Sequence, residues 1–143
     1  MLTKKAKYGL KAMVHLARLD PGAGASIGEV AEANELPKKF LEAILVDLRN
    51  AGFVRSRKGR GGGYALAREP ANIRVGDVIR ALDGPLAPIP CASRTAYMPC
   101  DDCADLASCS VRLIMQDVRD AMADILDHTS LAQMRDRAND AAH

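Results

Sequence analysis

The sequence predicts a mainly α-helical chain carrying one small β-hairpin, and three observations support that fold class. Leu41, Ile44, Leu45 and Leu48 recur at i, i+3, i+4 and i+7, which is one face of a helix. Asn50-Ala51-Gly52 stops that helix, with a glycine free to turn left-handed just past its end. Residues 53–57 and 64–66 then have strand character on either side of Lys58-Gly59-Arg60-Gly61-Gly62-Gly63, whose glycines permit turn angles closed to other residues. A helix followed by a hairpin with a basic, glycine-rich tip describes a helix-turn-helix unit with a wing. In that arrangement the helix enters a DNA groove and the tip reaches the neighbouring backbone or minor groove.

The glycine run has two competing readings, an inert surface loop and a nucleotide phosphate cradle. A cradle needs strand, glycine loop, Lys-Ser/Thr and then a helix. Here the loop lies inside a predicted hairpin and no Lys-Ser/Thr follows. The basic residues Arg57, Lys58 and Arg60 crowd the tip, which favours a DNA wing over an inert loop.

A chain of 143 residues suits one domain, or a small domain with an appended oligomerisation segment. With 3% aromatic residues and no Trp, its core must be aliphatic. The net charge of +2 conceals a division. Residues 1–68 hold 13 Lys and Arg against 6 Asp and Glu, while residues 69–143 hold 7 against 12. The first half therefore attracts polyphosphate and the second does not. No run is apolar enough for a membrane span, and the N-terminus lacks a secretory signal pattern, so a cytoplasmic protein is expected. In that reducing compartment four cysteines point to metal or redox chemistry rather than to disulfide staples.

In chain order, residues 4–19 read as a first helix with Leu10, Met13, Val14 and Ala17 as its buried stripe and lysines clustered at its start. Ser26-Ile27-Gly28-Glu29 is a capping box opening a second helix that runs to about Ala33. Asn34-Glu35-Leu36 makes the turn, and Pro37 suits a first helical position, where its missing N–H is not needed. Lys38 and Lys39 open the third helix, where a recognition helix presents its reading residues, and both can reach phosphates or guanine edges. Phe40 is either a first core residue or a contact to a thymine methyl, and core is favoured because it extends the stripe through Ile44. Glu42 can accept from cytosine N4 or simply be solvated.

Beyond the wing, residues 75–82 predict a short helix ended by Asp83-Gly84-Pro85, followed by a proline-interrupted loop. Val111, Met115, Val118, Met122 and Ile125 then recur at steps of four, three, four and three, an apolar seam along about five turns of helix. Such a seam can pack on its own domain but more naturally pairs with its copy in a homodimer. Residues 130–134 suggest one further turn, with a frayed tail after Arg137.

Cys91-x8-Cys100-x2-Cys103-x5-Cys109 gathers every cysteine within nineteen residues, among Pro, Asp and Ser rather than in an apolar run. Four soft thiolates can close around zinc or an iron–sulfur cluster, and two of them suffice for a dithiol switch.

These motifs together resemble the Rrf-two family of bacterial winged-helix transcription regulators, of the IscR/NsrR-like kind. The matching residues are Lys7-Tyr8-Gly9-Leu10-Lys11-Ala12, Ile27-Gly28-Glu29-Val30-Ala31, Phe40-Leu41-Glu42 and Leu48-Arg49-Asn50-Ala51-Gly52-Phe53-Val54. The match continues through the wing signature Arg60-Gly61-Gly62-Gly63-Tyr64, Val75-Gly76-Asp77-Val78-Ile79 and Ile125-Leu126 with Thr129-Ser130-Leu131. The resemblance covers residues 2 to about 134 and implies a homodimer with crossed long helices, bound to a palindromic operator. It further implies an iron–sulfur cluster, [2Fe-2S] or [4Fe-4S], held by three cysteines matching Cys91, Cys103 and Cys109 and by one other ligand.

The sequence departs from that pattern in its longer loop with the extra Cys100, and in having Arg112 where the IscR-like pattern has a ligating histidine. Nor can Tyr8 replace the N-terminal carboxylate ligand of some relatives. A four-cysteine site and a thiol sensor without a cluster both stay open.

The expected organisation is a winged-helix DNA-binding domain over residues 1–84, a cysteine-bearing sensor loop over 85–109, and a dimerisation helix with C-terminal segment over 110–137. The expected function is a DNA-binding transcription regulator, a repressor, with Lys38, Lys39, Phe40, Glu42, Lys58, Arg60, Gly61 and Gly62 at DNA and the four cysteines as metal ligands or redox-active thiols. One competing reading is a partner-binding module whose winged helix contacts protein rather than DNA, and another is a metal-binding or thiol-redox protein without direct DNA recognition. The latter lacks a base near the cysteines, because His15, His128 and His143 are remote in sequence.

Overall fold

The structure is a computed structural model and describes residues 2–59, 62–94, 96–99 and 107–142. Among these the chain runs α1 (Lys4–Ala17), α2 (Ile27–Asn34), α3 (Lys38–Asn50), β1 (Val54–Arg57), β2 (Gly63–Leu66), α4 (Val75–Asp83), α5 (Ser110–Asp127) and α6 (Leu131–Ala142). Single 3₁₀ turns lie at Pro70–Asn72 and Pro90–Ala92. The architecture is the predicted one, mainly helical with a two-stranded antiparallel wing. No helix among the described residues is long and apolar enough to cross a membrane.

Local chemistry sets the helix-turn-helix. Thr3 caps α1 by accepting from the Ala6 N–H at 3.1 Å, and Leu10, Met13, Val14 and Ala17 are buried as the period requires. At α2 the capping box forms in both directions, with Glu29 N–H donating to Ser26 Oγ and Ser26 N–H to Glu29 Oε2. Glu35 takes a left-handed φ of 54° and ends α2. Pro37 is the N-cap of α3 rather than its first helical residue, one position from expectation. Leu41, Ile44, Leu45 and Leu48 all point into the core.

The wing is built on a close backbone approach. β1 and β2 pair antiparallel from Val54↔Leu66 to Arg57↔Gly63. Ala25 adds a third extended segment by exchanging two 2.9 Å hydrogen bonds with Tyr64. Gly63 lies at φ 144°, and a Cβ there would stand 2.2 Å from the Ala25 carbonyl oxygen. That contact makes glycine obligatory at the start of β2.

The C-terminal third differs from expectation. α6 is a full helix, not one turn with a frayed tail. Its sequence is too polar to show a stripe, but Ser130 and Gln133 cap it reciprocally at 2.9 and 3.0 Å. Leu131 is wholly buried in the core with α1, α3 and α4, and its N–H donates to Ile73 O at 2.8 Å. Arg135 Nη1 donates to the Ala17 carbonyl at the end of α1, at 2.9 Å. The chain end thus completes the core of the winged unit, whereas α5 buries none of its residues and leaves Val111, Ile114 and Ile125 more than half exposed.

Leu131→Ala should therefore cost about 2–5 kcal/mol in urea unfolding, the usual range for a buried leucine. A cost below about 0.5 kcal/mol, the level of a surface change, would mean that α6 does not belong to the core.

Candidate nucleic-acid interface and cysteine segment

The solvent face of α3 is built by its buried stripe, because whatever does not point to the core must point out. Lys38, Lys39 and Glu42 are exposed there, as the sequence predicts. So are Ala43, Val46, Arg49 and Asn50, which sequence reading did not single out.

Phe40 is a correction. It is 39% exposed rather than in the core, with its ring edge-on to Tyr8 at 5.6 Å and 83°. Its neighbour Leu41 is buried, so the core continues at this level and Phe40 lies on the flank of the buried face, where the Tyr8 ring of α1 meets it. On the same flank Lys5 Nζ pairs with Asp47 at 2.7 Å and ties α1 to α3.

At the wing tip Lys58 and Gly59 are exposed, and Gly62 N–H donates to Gly59 O at 2.9 Å. A Cβ on Gly62 would lie 2.7 Å from Arg57 O and 2.8 Å from Gly59 O, so the tip closes only with glycine. Arg60 and Gly61 lie outside the described residues. Arg57 folds back, its Nη1 donating to Gly22 O at 3.3 Å, and acts as a brace of the wing. Lys38 and Lys39 at the start of α3 and Lys58 at the hairpin tip are thus exposed, as are Arg49 on α3 and Arg55 and Arg57 on β1.

The cysteine segment meets α5. Cys91 is 1% exposed in the Pro90–Ala92 turn, and Cys109 is the N-cap of α5. Arg112 Nε donates to Cys91 O at 2.9 Å, and Arg119 Nη1 donates to Ala92 O. Two arginines of α5 therefore hold the backbone of the turn that carries Cys91. Arg112 occupies itself with a carbonyl and an aromatic face, its guanidinium lying 5.6 Å from the Tyr97 ring centre, and supplies no metal-binding lone pair. Cys100 and Cys103 lie outside the described residues. Among the described residues no three His, Cys, Asp or Glu side chains gather as a metal site.

The other end of α5 is fastened to the winged unit. Arg80 of α4 grips Asp127 with two parallel bonds of 2.7 and 2.8 Å, and also reaches Asp77 at 3.2 Å. A Cβ on Gly76 would stand 2.1 Å from Asp127 Oδ1, so glycine at 76 opens the space for that carboxylate. The Arg80 hydrogen bonds hold the Asp127 carboxyl below the ordinary range, against a smaller opposing effect of burial. Neither residue was singled out from sequence. A pair 47 positions apart leaves no local pattern, and only a glycine inside a helix hinted at a close approach.

The helix-turn-helix, the glycine-built wing and the exposed basic start of α3 define a winged-helix, DNA-binding transcription regulator. A model of the Rrf2 family, described as an iron-dependent transcriptional regulator, matches residues 2–137, and the chain belongs to that family. It is 44% identical over 145 residues to an rrf2-like HTH-type transcriptional regulator of Rhodobacter capsulatus, covering 99% of this chain and 97% of the relative. Among solved structures it is similar to CymR, the global cysteine regulator of B. subtilis, at TM-score 0.78 and 34% identity, covering 96% of this chain and 97% of that one. It is also similar to T. potens IscR, at TM-score 0.78 and 31% identity, covering 100% of this chain and 91% of that one. The named relatives are regulators, not enzymes.

The Arg80–Asp127 tie carries a pH signature. Because the folded carboxyl titrates below the unfolded value of about 3.9, its stabilisation is present above that pH and is lost as pH falls through the lowered folded value. Asp127→Asn should cost about 1 kcal/mol at neutral pH, a figure already discounted for partial solvent screening. The gap between parent and variant should hold from pH 8 to 5 and close below about pH 4. A gap that persists unchanged to pH 2 would contradict the ion pair.

Proposed function

We propose that this regulator is a cytoplasmic repressor that binds a palindromic operator as a homodimer, with its affinity set by the chemistry of the cysteine segment. The DNA-binding residues proposed are Lys38, Lys39, Phe40, Glu42, Lys58, Arg60, Gly61 and Gly62. Residues 1–84 would form the DNA-binding unit, 85–109 the sensor segment, and 110–137 the dimerisation helix with its C-terminal extension. The observation that carries the DNA reading is the exposed pair Lys38 and Lys39 at the start of α3, on the same molecule as the exposed wing lysine Lys58. Phe40 enters at the flank of that surface, beside Tyr8. The exposed apolar residues of α5 support pairing with a second copy, since among the described residues Val111, Ile114 and Ile125 are each left more than half exposed.

The donor set fits a cluster: thiolates are the ligands iron–sulfur centres require, and Cys91 and Cys109 lie against or at the same helix, α5. Cys91, Cys103 and Cys109 would hold it, with Cys100 as the fourth ligand. When bound, such a cluster supplies a group that responds to iron supply and oxidants. The family description, iron-dependent, supports this reading. A thiol sensor is favoured by a different observation: Arg112, at the place of the expected histidine ligand, spends its Nε on the Cys91 carbonyl. The similarity to a cysteine regulator supports that second reading.

Lys39→Ala and Lys58→Ala should each weaken binding to operator and to random duplex alike. Each should also make the dependence of log affinity on log salt shallower by about 1. Titration should show two chains per operator. An unchanged salt slope in both variants would place these lysines away from phosphate and contradict the proposed interface.

A further inference from the structure

We infer that Val46, with Ala43 beside it, recognises the C5-methyl group of a thymine in each operator half-site. The inference deepens the proposed DNA reading and rests on it. Lys39, Ala43, Val46 and Asn50 follow one another at steps of four, three and four along α3, which places them on one line of the helix surface. That line faces away from the buried stripe of Leu41, Ile44, Leu45 and Leu48, so it is the part of α3 that projects furthest from the core.

Val46 is 36% exposed, and neither it nor Ala43 carries a hydrogen-bonding side-chain group. The middle of the reading line therefore cannot hydrogen-bond a base edge. Of the features that base pairs display in the major groove, only the thymine methyl is apolar. If α3 enters that groove, these two side chains can favour no other base feature.

The surroundings support the same occupant. Phe40, the other large exposed apolar residue of α3, already rests on Tyr8 at the flank, so it does not extend the patch toward a protein-sized apolar surface. Lys39 on the line and Lys38 and Arg49 beside it set three positive charges against one exposed carboxylate, Glu42, as suits a strip of bases between two phosphate backbones and not an apolar protein face. Of the two acidic residues beside Val46, Asp47 is held to the flank by Lys5 at 2.7 Å, and Glu42, one turn earlier, is exposed and able to accept from a cytosine N4.

The test begins with an operator selected from random duplexes by the full-length protein. Each thymine is then replaced by deoxyuridine, which keeps its pairing and lacks only the methyl group. At one symmetric pair of positions, a single replacement should weaken parent binding about 4-fold, the value of one apolar carbon removed from water, and the double replacement about 16-fold. V46A should bind the thymine and uracil operators equally, and V46T, nearly the same shape with a hydroxyl in place of one methyl, should lose most of the preference. The inference is overturned if the parent tolerates uracil at every position, or if V46A retains the parent's preference. A chain that bound no duplex at all would bring down the DNA reading itself, whereas duplex binding indifferent to the methyl removes this inference alone.

Discussion

Two sets of arginine bonds fasten α5 at both ends, and the relation between the cysteine segment and the DNA-reading unit depends on them. Near its start Arg112, and at its middle Arg119, hold the carbonyls of Cys91 and Ala92. At its end, Asp127 is gripped by Arg80 of α4, and the chain turns into α6 and returns to the core through Leu131. A guanidinium fork on a carboxylate fixes direction as well as distance. A helix held in this way cannot move at one end without loading the other. The C-terminal fastening is reinforced by backbone bonds from Val75 N–H to Thr129 O and from Leu131 N–H to Ile73 O, at 2.9 and 2.8 Å.

The reading surface is assembled from simpler constraints. The buried leucines and isoleucine of α3 turn Lys38, Lys39 and Val46 outward, and the capping box sets where α2 begins. Close backbone contacts at Gly62 and Gly63 shape the hairpin and carry Lys58 at its tip. None of these depends on the state of the cysteines. Regulation of DNA binding would then act through the relative placement of two copies, in which two recognition helices must match half-sites about 34 Å apart.

Much of this was legible in the sequence wherever the cause is local. The i, i+3, i+4, i+7 stripe of α3, the Ser26–Glu29 box and the strand–glycine–strand hairpin each follow from neighbours in the chain, and each is where it was expected. Features with non-local causes were not legible, the Arg80–Asp127 pair among them. α6 was hidden because its stability comes from one buried leucine, a polar cap and a long-range bond from Arg135 to Ala17, none of which makes a periodic pattern. Phe40 continues the apolar spacing yet lies on the flank of the buried face, since periodicity gives a face but not how wide a strip of it the neighbouring helix covers. Arg112 could be read only as a missing histidine, and its bond to Cys91 O needs the fold to bring residues 91 and 112 together.

The central claim is that the cysteine segment, tied to α5, sets operator affinity. The most direct measurement is the operator dissociation constant of anaerobically purified parent and of the four single Cys→Ser variants at 91, 100, 103 and 109, under reducing and oxidising conditions. Iron and sulfide should be assayed on the same samples. Cys103→Ser and Cys109→Ser are expected to lose any bound cluster and shift operator affinity by roughly 5- to 150-fold, the span of a coupling of about 1–3 kcal/mol, with their helical circular dichroism intact. Cys100→Ser should do the same if four cysteines form the site, and leave both cluster and affinity unchanged if three do. Operator binding identical to the parent in all four variants, under both conditions, would contradict the claim.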